Sequence, residues 1–380
     1  MSEMSSSTPS HRLDEMIKMY LENFESIPND SALEMEVKFG TLRGDNNKPI
    51  SRNEFDNVAK KLRSFGFVPS ISFVDDPHML RIFTTYVNSN GQVRQSNVRV
   101  NIPYLSGISQ YCRDEQINDF NAGFEIKDTF RDPSNNNFVR SVDFDDFNFR
   151  VSLNEEGYPS GKIRRGMIEK WKDMNKKFRL MNRTTFQHPD YPFKLDLSIV
   201  KSSYKKNATT FNGSGVLDAT ENYEIEIEVD NDALKNDPVA KSKLGEKMRK
   251  VIKIVLSGLQ STNYPVSIPE QEKVKHEYMA TLFPGKVKRQ SNPPFIGPSS
   301  YTLQLDNIVD PEVSKNGFAP NIRVNYTVTD KADGERKLMF ISSNGRIYLI
   351  DTNMNIQFTG AITQNKKLGG TVIDGEHIKY

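Results

Sequence analysis

The chain contains 380 residues, of which 36% are hydrophobic and 26% are charged; this excludes disordered and collagen-like proteins and allows two domains. Basic and acidic residues number 51 and 49, for a formal net charge of +2, so an anionic substrate must be met by locally arranged charges. The sequence contains no run approaching the roughly 18 apolar residues of a membrane span, no secretory signal, and only one cysteine, Cys112, which excludes an intramolecular disulfide and a cysteine-built zinc site. Chemistry is therefore expected to rest on carboxylates, lysines and arginines.

The first part of the chain is predicted to be a helix followed by a β domain. Residues 1–10 are rich in Ser, Thr and Pro and are expected to form a disordered tail. Apolar residues at helical spacing between Leu13 and Phe24 predict an amphipathic helix. From about residue 33 to 230, short alternating runs separated by turn residues predict an antiparallel β domain. A helix from about Val239 to Leu259 is expected to cover its sheet.

The rest of the chain is predicted to form a linker and a second domain. In this division the first domain covers residues 11–262. Prolines recurring among polar residues indicate an interdomain linker over residues 263–300, with a short helical piece at 276–283. Residues 301–380 alternate again around an Asn344-Gly345 turn. The expected fold class is α+β.

Two predicted strands, LEMEVKF and YEIEIEV, carry glutamates at every second position. Because successive side chains of a strand point to opposite faces, the charged residues of each strand share one face. These residues are Glu34, Glu36, Lys38, Glu224, Glu226 and Glu228. Either strand alone also fits a half-solvated amphipathic sheet, although glutamates spaced by two repel one another and are poor strand formers. If both strands point into one closed barrel, the glutamates form an oxygen-ligand site for Mg²⁺ or Mn²⁺.

The strands between these two supply basic residues at alternate positions. Arg179 and Arg183 share a face of KFRLMNRTTF, Lys194 and Asp196 share a face of FKLDLSIVK, and Arg150 lies in FRVSL. Such residues are commonplace on an outer sheet face, but they are costly in a sheet interior unless an anion is bound. Acidic and basic clusters inside one barrel would suit metal-assisted attack of water on a phosphate chain, with a glutamate orienting or deprotonating the water.

The glutamate strands resemble those of the tunnel-type, metal-dependent RNA 5′-triphosphatases of fungi and large DNA viruses, and the basic strands resemble those of capping enzymes from giant and African swine fever-like viruses. The resemblance implies an eight-stranded closed antiparallel β-barrel with flanking helices. Its Mg²⁺ or Mn²⁺ would be held by Glu34, Glu36 and Glu228, with support from Glu224 and Glu226. Phosphates would be bound by Lys38, Arg150, Arg179, Arg183 and Lys194. The resemblance also implies that Glu226 and Arg183 act in catalysis. The family often has a lysine where this chain has Met181, so one phosphate contact is missing or comes from elsewhere.

A second motif lies near the end of the chain. In YTVTDKADGERKLMF an apolar-alternating strand is predicted to run into Lys331, which is followed by Asp333, Gly334 and Arg336. A later apolar strand, TVIDGEH, leads to Glu376. A lysine amine is nucleophilic when burial, a nearby cation or a bound metal keeps it neutral, but the first motif also fits an Asp-Gly turn with solvated charges.

Together these two segments resemble motifs I and III of the covalent nucleotidyltransferases, the superfamily of mRNA guanylyltransferases and polynucleotide ligases. The resemblance implies that Lys331 attacks the α-phosphate of GTP or ATP and forms a lysyl-nucleotide. It also implies that Arg336 and Glu376 contact the ribose or metal region and that Asp333 orients the site. The residues around Lys331 favour GTP. The resemblance implies that residues 301–380 are the N-terminal portion of a nucleotidyltransferase α/β domain. The later motifs and the OB domain of the family have no counterpart, so we expect a fragment or truncated product that does not complete guanylyl transfer alone.

The order of the two motifs matches the order of mRNA capping, in which the γ-phosphate is removed before GMP is added. A capping enzyme is therefore the leading hypothesis, with 5′-triphosphate RNA and GTP as partners, no membrane, and a link to a methyltransferase domain or subunit. The resemblance implies a cytoplasmic location, in the host cytoplasm, the viral factory or the virion. Two alternatives stay open: an ATP-dependent polynucleotide ligase, which would not need the glutamate strands, and a non-catalytic module that binds polyphosphate or RNA ends.

Overall fold

The computed structural model describes residues 9–27, 31–40, 48–70, 76–205, 208–235, 237–285, 293–298, 302–313 and 320–378. The chain divides into an N-terminal unit, residues 1–261, and a C-terminal unit, residues 262–380. Residues 1–8 of the predicted tail lie outside the described residues. Pro9 and Ser10 already belong to the first helix, because a proline is well tolerated in the first turn of a helix.

The N-terminal unit contains a closed antiparallel β-barrel. Its strands are β1 (Ser31–Phe39), β2 (Val68–Pro69), β3 (His78–Val87), β4 (Val93–Pro103), β5 (Gly123–Thr129), β6 (Val142–Phe144), β7 (Phe149–Gly157), β8 (Asn175–His188), β9 (Tyr191–Ser202) and β10 (Glu221–Val229). The order β1-β10-β9-β8-β3-β4-β5-β7 closes because β7 also pairs with β1. Strands β2 and β6 lie outside this ring and pair with β8 and β7. The expected eight-stranded closed barrel is confirmed.

Helices surround the barrel and connect its strands. They are α1 (Pro9–Asn23), α2 (Arg52–Ser64), α3 (Leu105–Asp114), α4 (Gly161–Lys170), α5 (Asn231–Lys235), α6 (Pro238–Ser242) and α7 (Leu244–Leu259). The helix predicted from Val239 to Leu259 is divided at Lys243 into α6 and α7. Among the described residues, no helix has the length and apolar character needed to cross a membrane.

The apolar side chains of the barrel point outwards. On β1, Leu33, Met35 and Val37 join a buried cluster that also contains residues of α1, α2 and α7. On the other side, Val100 and Phe178 join a second cluster with residues of α3 and α4. Since strand side chains alternate, the charged residues between these apolar ones project into the interior of the barrel, here called the lumen.

Close packing of α2 on α7 depends on a glycine. A Cβ atom at Gly258 would lie 2.7 Å from Val58 Cα, closer than real Cβ contacts. Because Val58 is fully buried, it has no room to retreat. The two helices can therefore approach this closely only with glycine at position 258.

Among its described residues, the C-terminal unit contains a small antiparallel sheet and one long helix. The helix is α8 (Ile268–Leu282), and the strands are β11 (Glu335–Ile341), β12 (Arg346–Asp351), β13 (Ile356–Ile362) and β14 (Thr371–His377). Their order in the sheet is β13-β12-β11-β14. Val274 and Tyr278 of α8 pack against Leu338 and Phe340 of β11.

The prediction of a linker over residues 263–300 is wrong for its described part. That segment contains α8, which begins after the N-cap Ser267 with Pro269 in its first turn. Tyr278 Oη also donates to Ile296 O at 2.7 Å and accepts from Ile296 N at 3.0 Å. The prolines that suggested a linker stand at or beyond the ends of a helix whose apolar face is buried.

The strand predicted to run into Lys331 is not formed. Residues 325–333 have no helix or strand, and β11 begins only at Glu335. Tyr326 and Val328 are exposed. An alternating sequence needs a partner strand and an apolar surface to become a strand, and the described residues provide neither for this segment.

Candidate active site in the barrel lumen

The two glutamate strands are neighbours and face the same lumen. Strand β1 pairs with β10 so that Glu36 lies opposite Glu228 and Lys38 lies opposite Glu226. The residues between them on both strands belong to the outer apolar cluster. Glu34 and Glu36 are buried. The carboxylates therefore share a shielded interior, which a half-solvated sheet would not give them.

Two lysines lie among these carboxylates. Lys127 of β5 forms ion pairs with Glu34, with Glu36 Oε2 at 3.0 Å and with Glu156 Oε1 at 3.3 Å. Lys38 lies 3.1 Å from Glu226 Oε1 and 3.4 Å from Glu36 Oε2. Burial works against a charged Lys127, but Glu34 and Glu36 outweigh it and raise its pKa. Burial likewise works against a charged Lys38, but Glu226 and Glu36 outweigh it and raise its pKa. Both ammonium groups therefore stay protonated at neutral pH.

Neighbouring positive charges compensate the carboxyl groups of the lumen to different degrees. Burial, reinforced by Glu36, raises the pKa of Glu34 to about 8, and burial, reinforced by Asp196, raises the pKa of Glu228 to about 7. Burial also disfavours ionised Glu226, but Lys38 and Arg183 outweigh it and hold that pKa well below its ordinary range. The Glu228 side chain makes no hydrogen bond or ion pair within the described part of the chain. The lumen thus holds two carboxyls that a further cation would ionise.

Four arginines lie along the neighbouring strands. Arg179 donates to both carboxylate oxygens of Glu224 at 2.6 Å. Arg183 contacts Asp196 Oδ2 at 2.5 Å, Ser198 Oγ at 3.1 Å and Glu226 Oε2 at 3.7 Å.

The other two arginines, Arg81 and Arg99, are on β3 and β4. Arg81 donates to Asn101 Oδ1 at 2.8 Å, and Arg99 lies 3.2 Å from Glu156 Oε1. Burial, together with Arg99 and Arg183, lowers the pKa of Arg81 to about 10. Cations that disfavour one another inside a protein are suited to receive an anion.

Two of the predicted phosphate-binding residues have carboxylate partners near the ends of the barrel. Arg150 is held by both oxygens of Asp143 on β6, at 2.6 and 2.8 Å. Lys194 lies 3.7 Å from Asp230 Oδ1. Met181, which stands where the resembling family often has a lysine, is buried between Arg179 and Arg183 on β8.

Sequence reasoning missed four residues of the lumen. Arg81 lies on β3, whose run HMLRIFTTYV was not recognised as a strand. Arg99, Lys127 and Glu156 lie in, or a few residues after, alternating runs of the predicted β domain. Arg99 and Lys127 alternate with the outward-facing Val98, Val100, Phe124 and Ile126. Glu156 continues the alternation of the outward-facing Val151 and Leu153 on β7. This period of two was the signal that could have placed them in the lumen.

The donor set fits a hard divalent cation in its chemistry. Glu34, Glu36 and Glu228 offer only carboxylate oxygens, the ligands that Mg²⁺ and Mn²⁺ prefer. Among the described residues, however, no three Asp, Glu, His or Cys side chains are arranged so that they could hold a metal ion. The ammonium group of Lys127 lies between Glu34 and Glu36 instead. The metal site therefore stays a prediction.

Only some of the motif residues of the C-terminal unit lie close to one another. Arg336 of β11 donates to both carboxylate oxygens of Asp374 on β14 at 3.0 Å, and Glu376 stands opposite Arg336 in the sheet. Lys331 and Asp333 lie on the exposed segment before β11. Lys331 Nζ donates to the carbonyl oxygen of Ala332 at 3.3 Å.

The chain is similar in sequence to a viral protein described as a probable mRNA-capping enzyme. No protein-family model matches the chain. The chain is 25% identical over 361 residues to a probable mRNA-capping enzyme of Acanthamoeba polyphaga mimivirus, with 87% of this chain and 28% of the relative covered. The chain thus spans less than a third of that relative's length. The expected resemblance to viral mRNA-capping enzymes is confirmed by this relative.

Two solved structures are also similar. The mimivirus capping enzyme triphosphatase has a TM-score of 0.38 and 13% identity, with 64% of this chain and 97% of that chain covered. The S. pombe RNA triphosphatase Pct1 has a TM-score of 0.34 and 15% identity, with 68% of this chain and 92% of that chain covered.

Proposed function

We propose that the N-terminal unit is a metal-dependent RNA 5′-triphosphatase that acts in mRNA capping. The observation that carries the proposal is the pairing of Glu36 with Glu228 inside a closed barrel that also holds buried arginines. Carboxylates suit a divalent cation, and guanidinium groups suit phosphate oxygens. The similarity to a probable mRNA-capping enzyme supports a role in mRNA capping.

The reaction is attack of water on the γ-phosphorus of the RNA triphosphate. The new P–O bond forms as the bond between the γ-phosphorus and the β–γ bridging oxygen breaks, which leaves inorganic phosphate and a 5′-diphosphate end. Arg81, Arg99, Arg179 and Arg183 would exchange carboxylate and amide partners for phosphate oxygens and absorb the charge that develops there. Held by Glu34, Glu36 and Glu228, Mg²⁺ or Mn²⁺ would supply further positive charge at the scissile phosphoryl group.

Glu226 is suited to orient the attacking water. Its pKa is held low by Lys38 and Arg183, so it stays ionised and accepts a hydrogen bond from water without retaining the proton at neutral pH. Arg183 contacts both Glu226 and Asp196. Arg183 therefore positions the Glu226 carboxylate and also faces the substrate.

The test is phosphate release from 5′-triphosphate RNA in Mg²⁺ or Mn²⁺. Glu36→Gln should reduce the rate roughly 100-fold, the typical loss when one preorganised charge contact is removed. Glu246→Gln, at an exposed position of α7, is the matched control and should match the wild type. Equal rates for wild type and Glu36→Gln would defeat the proposal. Hydrolysis of free nucleoside triphosphates alone would weaken the RNA assignment and leave the metal site standing.

We further propose that the C-terminal unit belongs to a guanylyltransferase domain. The observation that favours it is the register of β11 with β14, which brings the Arg336 and Glu376 motifs side by side. In that reaction the Lys331 amine loses a proton, attacks the α-phosphorus of GTP and releases pyrophosphate. Because Lys331 is exposed on an irregular segment, we expect no transfer by the 380-residue chain. Recovery of radiolabelled GMP on Lys331 of this chain would contradict that expectation, and labelling from ATP in place of GTP would favour a ligase.

A further inference from the structure

Two large aromatic side chains are exposed at one end of the barrel. Tyr158, which directly follows β7, is 76% exposed, and Phe120, three residues before β5, is fully exposed. Strands β5 and β7 are antiparallel neighbours, so the start of β5 and the end of β7 lie at the same end of the barrel. This end is called the β5–β7 mouth.

The β5–β7 mouth leads directly to the charged lumen. Glu156, the penultimate residue of β7, contacts Lys127 and Arg99 inside the barrel. Tyr158 follows only two positions later. A chain that leaves the lumen at this mouth would therefore pass close to Tyr158.

A concentration of basic residues begins at the same place. Residues 161–177 contain Lys162, Arg164, Arg165, Lys170, Lys172, Lys176 and Lys177 but only two acidic residues, Glu169 and Asp173. Met167 of α4 is buried against the barrel, which leaves Lys162 and Arg165 on the opposite, exposed face. Within the described part of the chain, the exposed Lys162, Arg165, Lys170 and Lys172 form no ion pairs.

An ion pair joins the aromatic and basic parts of this surface. Arg164 Nε of α4 lies 2.8 Å from Asp119 Oδ1, in the loop that carries Phe120. Phe120, Tyr158, Lys162 and Arg165 thus form one surface, here called the mouth surface. The chain as a whole carries a net charge of only +2, so this is a local concentration of positive charge beside two exposed aromatic rings. Such a surface indicates a partner that carries many negative charges and also has flat groups that can stack on aromatic rings.

We infer that the mouth surface binds the single-stranded RNA that follows the 5′-triphosphate end. Unpaired bases stack on exposed aromatic rings, and phosphates are met by Lys and Arg, which is how single strands are bound without regard to sequence. The inference rests on the proposed function, because it assumes that the triphosphate end lies in the lumen. It adds that the enzyme prefers a triphosphate attached to RNA over a free triphosphate.

The test measures binding of a 5′-triphosphorylated single strand of about 12 nucleotides, within the site sizes usual for such surfaces. Binding is measured by fluorescence anisotropy with the full chain, and EDTA is present so that the RNA is not hydrolysed during the measurement. Phe120→Ala/Tyr158→Ala and Lys162→Glu/Arg165→Glu should each raise the dissociation constant about 10-fold or more. In Lys162→Glu/Arg165→Glu, the loss of two phosphate contacts should also reduce, by about 1.4, the slope of the logarithm of the dissociation constant against the logarithm of the salt concentration.

Matched controls lie away from the mouth surface. Tyr86→Ala removes an exposed aromatic ring at the opposite end of the barrel, and Lys60→Glu/Lys253→Glu makes the same charge change on α2 and α7. Both should bind RNA like the wild type. Photocrosslinking of wild type with 4-thiouridine placed within the strand should label peptides that contain Phe120 or Tyr158, and this result does not depend on how a variant folds.

Hydrolysis of tripolyphosphate separates this inference from the proposed function. Wild type and the mouth-surface variants should hydrolyse it equally, since the lumen is unchanged. Absence of phosphate release by wild type from both tripolyphosphate and 5′-triphosphate RNA would defeat the proposed function. The inference is overturned, and the proposed function stands, if the wild type hydrolyses tripolyphosphate but the variants bind RNA as tightly as the wild type. The same holds if the crosslinks lie only in other peptides. Loss of tripolyphosphate hydrolysis in the variants would also overturn it, because these residues would then belong to the catalytic machinery.

Discussion

Lys127 joins the acidic and basic parts of the lumen. Its ammonium group contacts Glu34, Glu36 and Glu156, and Glu156 pairs in turn with Arg99. A lysine among three carboxylates supplies part of the positive charge that a divalent cation would bring, so the two compete for the same oxygens. The proposed metal site is therefore one in which cation binding and the position of a lysine are coupled.

Replacement of Lys127 by methionine should expose this competition. In metal-free protein at neutral pH the free energy of unfolding should fall by roughly 3 kcal/mol, because Glu34 and Glu36 lose a buried partner. Mn²⁺ should then raise the unfolding temperature of Lys127→Met more than that of the wild type, as measured by differential scanning calorimetry. Lys170→Met, at an exposed position of α4, should change neither quantity. Equal Mn²⁺ shifts in Lys127→Met and wild type would argue against competition.

The raised pKa values of Glu34 and Glu228 predict a pH dependence of stability. These values, about 8 and about 7, lie above the ordinary 4.5. Between about pH 4.5 and about pH 8 the folded chain binds more protons than the unfolded chain, so these groups lower the free energy of unfolding as the pH rises. Urea titrations at several pH values should show that the free energy of unfolding of metal-free Glu228→Gln falls less with rising pH than that of the wild type. Mn²⁺ should reduce this fall in the wild type. An identical decline in wild type and Glu228→Gln would exclude Glu228 as a source.

The strands and helices of the N-terminal unit depend on each other because the barrel is apolar outside and charged inside. A lumen of Glu, Lys and Arg supplies little hydrophobic stabilisation, so the burial of apolar surface must come from helices packed on the exterior. The large outer cluster involving α1, α2 and α7 serves this purpose. Damage to helix packing should therefore destabilise the barrel without touching a lumen residue.

Gly258→Ala tests this dependence at the contact of α2 with α7. The added methyl group would collide with the Val58 backbone, and we expect a loss of about 1–3 kcal/mol in the free energy of unfolding. Gly166→Ala on α4 is the matched control: its Cβ would meet no atom within 4 Å, so it should stabilise the protein by about 0.5–1 kcal/mol. Urea denaturation monitored by Trp171 fluorescence measures both changes. A stabilising Gly258→Ala would show that α2 and α7 separate at little cost.

At the scale of the whole molecule, features with a regular period could be predicted from the sequence. The period of two on β1 and β10 placed Glu36 and Glu228 on one face of their strands, and barrel closure brought those faces together. Contacts between strands distant in sequence could not be predicted. Lys127 reaches Glu34 and Glu36 only because β5 and β1 both pair with β7.

Other elements were hidden by their local composition. The β3 run, with Met79 and Leu80 before Arg81 and Ile82 and Phe83 after it, lacks the alternation that marks a half-buried strand, so Arg81 was not recognised. The prolines around α8 concealed a helix that is stabilised by its contacts with β11. Tyr326 and Val328 show the opposite case, in which alternation without a partner does not produce a strand.

A crystal structure of the protein with Mn²⁺ and tripolyphosphate, with anomalous scattering to locate the metal, tests the proposed metal site directly. We expect a Mn²⁺ ion in the lumen, coordinated by Glu36 and Glu228, with the Lys127 ammonium group moved away from the metal-binding oxygens of Glu34 and Glu36. Tripolyphosphate should contact arginines of the lumen. A lumen without Mn²⁺ at saturating concentration, with Lys127 still paired to Glu34 and Glu36, would contradict the claim.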